Sequence, residues 1–171
     1  NNEIIKSDEN GSGLALTEYI LTEPQTHIKV ADLIVDTVNN TVAYGEETSF
    51  DGVVIDFECL KGELAKQSLN EFLKTLKADL DKNNKLLYVA VHPARRPGQA
   101  YYDGYDYRTI ADIADRIILM AHDYYAKELN DNEMQIGYTD TPLTPIDEIY
   151  YALKIITDKE TGVQDLSKIL F

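Results

Sequence analysis

Four short apolar runs recur along this chain, each separated from the next by a stretch with helical spacing. That alternation restricts the fold more than any other feature. The runs fall at 50–57 (FDGVVIDF), 85–92 (KLLYVAVH), 116–121 (RIILMA) and 168–171 (KILF). They are rich in branched side chains and bounded by turn residues, as buried strands are. Between them, apolar residues return at helical spacing. Val30, Ile34 and Val38, with Leu33 alongside, predict a helix over 28–38. Leu69, Phe72, Leu73, Leu76 and Leu80 mark one face of a second helix, ended by the Asn83-Asn84 turn. A short helix is expected over 109–114. Thr144-Pro145-Ile146-Asp147 has the form of a capping box and opens a last helix striped by Ile146, Ile149, Leu153 and Ile156. The first two dozen residues, rich in Asn, Ser, Gly and Glu, predict loop with one short turn.

Helix alternating with strand is the pattern of a parallel sheet whose two faces are covered by helices. Both a doubly wound sheet and a section of a (β/α)8 barrel satisfy it. A whole barrel needs about 250 residues, and 171 residues supply about half the strands. No Gly-rich phosphate loop follows a strand, which weakens the dinucleotide-binding alternative and implies no cofactor. The length fits a single domain over 1–171.

The charge balance narrows the partners. With 30 acids against 16 Lys and Arg, the net charge of -14 disfavours nucleic acid, because a phosphate backbone selects a basic face. No apolar run reaches the roughly 20 residues that cross a bilayer. The single cysteine, Cys59, excludes an intramolecular disulfide and a Cys-based zinc site, and reads as a small buried hydrophobe. His92, His122 and Asp123 are possible metal ligands, but no close-spaced ligand motif supports a site, and none is assigned. Neither oligomeric state nor compartment follows from these residues.

Chemistry concentrates at the strand ends. Side chains two apart in a strand share a face, so Val54, Asp56 and Glu58 point the same way, with both acids at the carboxyl end of their strand. That end is where parallel α/β folds bind ligands. Two neighbouring carboxylates can hold one proton between them, and a protonated acid is what departure of a glycosidic oxygen requires. The same acids could equally cap a helix or pair with a cation. The third run ends in the same way, with Met120, His122 and Tyr124 on one face and Asp123 adjacent. The second ends in His92. Beyond it lie Arg95, Arg96 and YYDGYDY (101–107), whose tyrosines suit either sugar stacking or a surface turn.

DGVVIDFE resembles the catalytic strand motif DxxDxDxE of glycoside hydrolase family 18, the chitinase-like (β/α)8 barrels, with Asp51, Asp56 and Glu58 matching three of its four acids. MAHDYY (120–125) is similar to that family's sixth-strand motif Met-x-Tyr-Asp, matched by Met120 and Asp123. ADRIILMAHDYY also looks like the bacterial branch that includes spore-cortex and cell-wall hydrolases. The resemblance implies strands four to seven of the barrel, an incomplete catalytic domain inactive by itself.

It further implies a polysaccharide substrate of β-1,4-linked N-acetylglucosamine, peptidoglycan or chitin, at the cell wall or outside the cell. Glu58 would be the general acid/base and Asp56 would steady the acetamido group, with Asp51 completing the catalytic acids. Asp123, His122, Met120, Tyr124 and His92 would bind sugar. Two positions depart from the pattern: Val54 replaces the second Asp, and His122 replaces the usual Tyr. The family's strand-eight Trp has no counterpart, because the chain contains no Trp. These departures keep open a second reading, a non-catalytic, lectin-like carbohydrate binder on the same fold.

Overall fold

The computed structural model describes residues 4–7, 13–98, 102–122, 124, 129, 131–137 and 144–171. Strands β1 (Ile4–Ser7) and β2 (Gly13–Ala15) form an antiparallel hairpin, and helix α1 (Leu16–Thr22) follows directly. The expectation of loop across this region is therefore corrected. The polar composition of the region hid a short ladder that runs directly into α1. Helix α2 (Pro24–Asn39) begins on a proline whose missing N–H costs a first turn nothing. A second hairpin follows, β3 (Thr41–Ala43) and β4 (Glu46–Thr48). Its two-residue turn places both Tyr44 and Gly45 at positive φ, the twist that joins strands tightly. The sequence patterning gave no sign of it.

The central sheet is fully parallel and ordered β5 (Gly52–Ile55), β6 (Leu86–Val91), β7 (Arg116–Leu119), β8 (Ile169–Leu170). Helices α3 (Gly62–Lys82) and α4 (Tyr107–Ile113) make the first two crossovers. Helices α5 (Asp131–Gln135) and α6 (Ile146–Ile156), with a 3-10 turn at Leu166–Lys168, lie in the third. Four parallel strands with their helices, in sequence order, constitute a section of a (β/α)8 barrel, as expected. The expected strand over 50–57 shortens to four residues because the ladder with β6 ends at Ile55↔Val89, leaving Asp56 to Glu58 beyond the last pair. At its other end Gly52 is required by packing: a Cβ there would stand 2.2 Å from the Leu86 carbonyl oxygen.

Burial alternates along the strands. Ile55, Leu87, Val89, Val91, Ile117 and Leu119 are buried under the helix layer, where α3 contributes Leu69, Phe72, Leu73, Leu76 and Leu80. The other, concave face leaves Val54, Leu86 and Leu170 exposed. That face corresponds to the lumen of a barrel. Two expected stripes are narrower than read: Leu33 of α2 and Ile146 of α6 are exposed. The capping box at Thr144 is also corrected, because Pro145 itself occupies the cap position and no side chain bonds the first turn. Among the described residues no helix is long and apolar enough to cross a membrane.

Asp115 joins three elements at the amino-terminal edge of the sheet. Its Oδ2 accepts the Leu87 N–H at 2.8 Å and the Lys77 ammonium at 2.9 Å. Burial pushes its carboxyl up, but the Leu87 and Lys77 bonds outweigh burial and hold it below the ordinary 3.8. Such a lowered carboxyl adds stability above its ordinary value and loses it as pH falls through the folded one. Asp115→Asn is expected to lower the unfolding free energy at neutral pH by about 1–2 kcal/mol. In urea titrations the difference from wild type should shrink below about pH 4. A difference unchanged down to pH 3 would show that charge plays no part.

Candidate active site

The polypeptide leaving β5 carries Asp56 and Glu58, both exposed, with Phe57 turned into the core between them. The strand alternation then breaks: Cys59 adopts φ 63, the left-handed region uncommon for a residue with a Cβ. Three groups of the next crossover loop clamp this turn. Tyr105 Oη donates to the Phe57 carbonyl at 2.7 Å, the Gly104 N–H donates to the Leu60 carbonyl at 3.1 Å, and Asp103 Oδ1 accepts the Gly62 N–H at 2.8 Å. Gly104 has to be glycine here, since a Cβ would meet Leu60 Cβ at 2.7 Å.

Two tyrosines of 102–107 have a task within the fold that the sequence did not suggest, each holding a backbone carbonyl. Burial pushes the Tyr105 hydroxyl's pKa well up, so it stays a donor across the working pH range. Tyr107 Oη donates to the His92 carbonyl at 2.7 Å, and the Tyr102 ring packs on the His92 ring at 4.7 Å. Tyr101 lies outside the described residues.

His92, at the end of β6, sits at the centre of the arrangement. Its imidazole is half-buried, and burial is the main influence lowering its pKa. The carboxylates of Glu58 and Asp56 act against burial, while Arg95 and His122 act with it. Its Nε2 is buried without a hydrogen-bond partner among the described residues. Ligand atoms of Glu58, Cys59 and His92 all lie within 4.8 Å of one another. Beside them a cavity of about 310 Å³ opens between α1 and the start of α3, lined in part by Glu58, Cys59 and Lys61.

From β7, Met120 is half-buried and its N–H donates to the Val91 carbonyl at 3.1 Å, placing it beside His92; His122 is exposed two residues on. Tyr124 is buried, with the Arg95 guanidinium 3.9 Å from its ring centroid. Asp123 lies outside the described residues. Asp51 stands at the amino-terminal end of β5, exposed, its carbonyl accepting the Leu86 N–H at 2.9 Å. The four residues of β5 separate it from Asp56, so it does not join the carboxyl-end cluster.

Sequence reasoning missed Tyr105 as the residue that fixes the Asp56–Glu58 turn; its signal was the Gly104-Tyr105 pair within YYDGYDY. Tyr105→Phe removes one hydrogen bond and leaves the Phe57 carbonyl unpaired, a cost of about 1–3 kcal/mol. If Glu58 reacts, the small displacement should also lower kcat about tenfold with KM little changed. A variant with wild-type kcat and stability would remove Tyr105 from the positioning role.

Parallel strands in the order of a (β/α)8 barrel thus carry two carboxylates, Asp56 and Glu58, just past the carboxyl end of β5. The sequence matches Glycosyl hydrolases family 18 over residues 13–165, and the chain belongs to that family. Among solved structures, it is similar to the C-terminal domain of a chitinase-designated protein from Desulfitobacterium hafniense DCB-2. The identity is 28% and the TM-score 0.68, with 94% of this chain and 42% of that one covered. The spore cortex-lytic enzyme SleL of Bacillus cereus shares the fold at 23% identity and TM-score 0.66, covering 95% and 33%. A class V chitinase from Pseudomonas fluorescens Pf-5 does so at 20% and 0.64, covering 95% and 46%. The chain therefore spans less than half the length of these proteins. No curated protein matches the sequence.

Proposed function

We propose that the whole protein is a glycoside hydrolase that cleaves β-1,4-linked N-acetylglucosamine polymers, peptidoglycan or chitin, at the cell wall or outside the cell. Family membership supports the reaction class, and the placement of Asp56 and Glu58 together at the carboxyl end of β5, facing His92, carries the reading. Glu58 acts as the general acid, giving its proton to the departing glycosidic oxygen. The sugar's own 2-acetamido oxygen attacks the anomeric carbon from the opposite face, taking the place of a protein nucleophile. Asp56, two residues back on the same face, orients the acetamido group and offsets the positive charge it develops. Water then opens the cyclic intermediate with the Glu58 carboxylate as base, returning the product with its original anomeric configuration. His92 and, in the segment of chain that follows β7, Met120, His122, Asp123 and Tyr124 serve the bound sugar. Asp51, remote from the cluster, supports the strand that presents the other two acids.

Product stereochemistry tests this directly. Proton NMR of fresh digests of N-acetylglucosamine oligomers should show the β-anomer first, and oligomers lacking the 2-acetamido group should be left intact. Initial release of the α-anomer would overturn the mechanism. Binding of oligomers and peptidoglycan without cleavage of either would instead establish the lectin-like reading, towards which Val54 leans by presenting an exposed methyl surface at the position of an acid.

A further inference from the structure

Cys59 directly follows the proposed general acid, yet neither the fold nor the hydrolytic reading gives it a task. In an extended strand, consecutive side chains point to opposite sides. The positive φ of Cys59 breaks that rule, and Glu58, Cys59 and His92 converge, their ligand atoms within 4.8 Å of one another. A tetrahedral zinc ion with ligand bonds of about 2.0–2.3 Å needs donor atoms roughly 3.5 Å apart, so side-chain rotation of about an ångström closes the set. The donors are one thiol, one imidazole and one carboxylate, a mixture that selects borderline divalent cations over calcium or magnesium.

A second observation points the same way. His92 Nε2 is buried with no hydrogen-bond partner among the described residues, although the ring is held by Tyr102 and its carbonyl by Tyr107. Two carboxylates, Asp56 and Glu58, also bear on it and favour a cation, with the Arg95 guanidinium and the His122 imidazole opposing them. The single cysteine does exclude the multi-cysteine sites read from close-spaced motifs. It does not exclude three different ligands drawn from the ends of two neighbouring strands.

We propose that Glu58, Cys59 and His92 form a binding site for a zinc-class divalent cation, and that occupation occupies the Glu58 carboxylate and stops hydrolysis. The inhibitory half rests on the reading of Glu58 as general acid; the binding half does not. Three protein ligands leave a fourth position open to water.

Cobalt(II) and zinc(II), added singly to the whole protein under reducing conditions, separate the two halves. Cobalt should bind one equivalent with a thiolate-to-metal charge-transfer band, and Cys59→Ser should lose the band. Affinity for zinc, by competition with a chromogenic chelator, should fall about 100-fold in Cys59→Ser and in His92→Gln, no less than loss of an outer-shell partner costs elsewhere. Cys59→Ser replaces a half-buried thiol by a hydroxyl of similar size, so its circular dichroism should match wild type. Hydrolysis by wild type should stop at zinc concentrations that leave Cys59→Ser active. Absence of the charge-transfer band, or equal zinc affinity in wild type and Cys59→Ser, overturns the site. A cobalt band in a protein that zinc does not inhibit overturns the inhibitory half alone. If Glu58→Gln still hydrolyses its substrate, the reading of Glu58 has failed, and the cobalt spectrum continues to judge the metal site.

Discussion

Glu58→Gln in the whole protein is expected to cut turnover of N-acetylglucosamine oligomers by about a thousandfold while leaving sugar binding intact. Glutamine keeps the size of the side chain and its ability to accept a hydrogen bond, but has no proton to give the departing oxygen. The scaffold does not depend on that carboxyl. Backbone and side-chain bonds from Tyr105, Gly104 and Asp103 hold residues 57–62, and none of them ends on the Glu58 side chain. The loss should therefore appear in kcat, with the dissociation constant for oligomers, by calorimetry, little changed. Asp56→Asn should weaken turnover as well, since it removes the charge that balances the acetamido cation. A Glu58→Gln rate within tenfold of wild type would take the general acid away from this residue.

Why Asp56 and Glu58 stand out in the sequence, while Tyr105 is marked only by its place beside Gly104, is a matter of physical range. The strands and the helix stripes of α2 and α3 announce themselves because burial repeats with the period of the backbone: Leu69, Phe72, Leu73, Leu76 and Leu80 all reach the core as patterned. Asp56 and Glu58 stood out because acids at the end of an apolar run contradict it. The hairpins of β1–β2 and β3–β4 carry no such pattern. Both are short ladders, and residues 46–48 of β4 are exposed throughout. Tyr105 acts through one hydroxyl on a carbonyl 48 residues away, and no local spacing encodes that contact. Cys59 reads as core because a lone cysteine usually packs as a small buried hydrophobe, whereas its backbone angle, invisible in sequence, turns it towards Glu58 and His92. The Thr144 capping box failed for a related reason: a local motif describes what a turn can form, and proline took the cap position itself.

Phe72→Ala should be the most damaging single change to stability, lowering the unfolding free energy by about 3–5 kcal/mol. Phe72 is fully buried on α3, and its ring lies 5.2 Å from His27 of α2 and 5.4 Å from Phe57 of the active-site turn. Truncation leaves a cavity at the junction of two helices and the end of β5, and such cavities collapse only partly in a close-packed interior. For a domain of this size the melting temperature should fall on the order of 10 °C. The site should suffer with the core. Phe57 stands between Asp56 and Glu58 and rests on the Phe72 ring, so loss of that support lets the acids drift. Phe72→Leu, which keeps most of the buried area, should cost much less stability yet still reduce kcat, because it removes the ring that fixes the tilt of Phe57. Urea unfolding and turnover measured on both variants separate the two effects. If Phe72→Leu keeps wild-type turnover, Phe57 is positioned by its backbone and the Tyr105 bond alone, and the aromatic pair contributes only to the core.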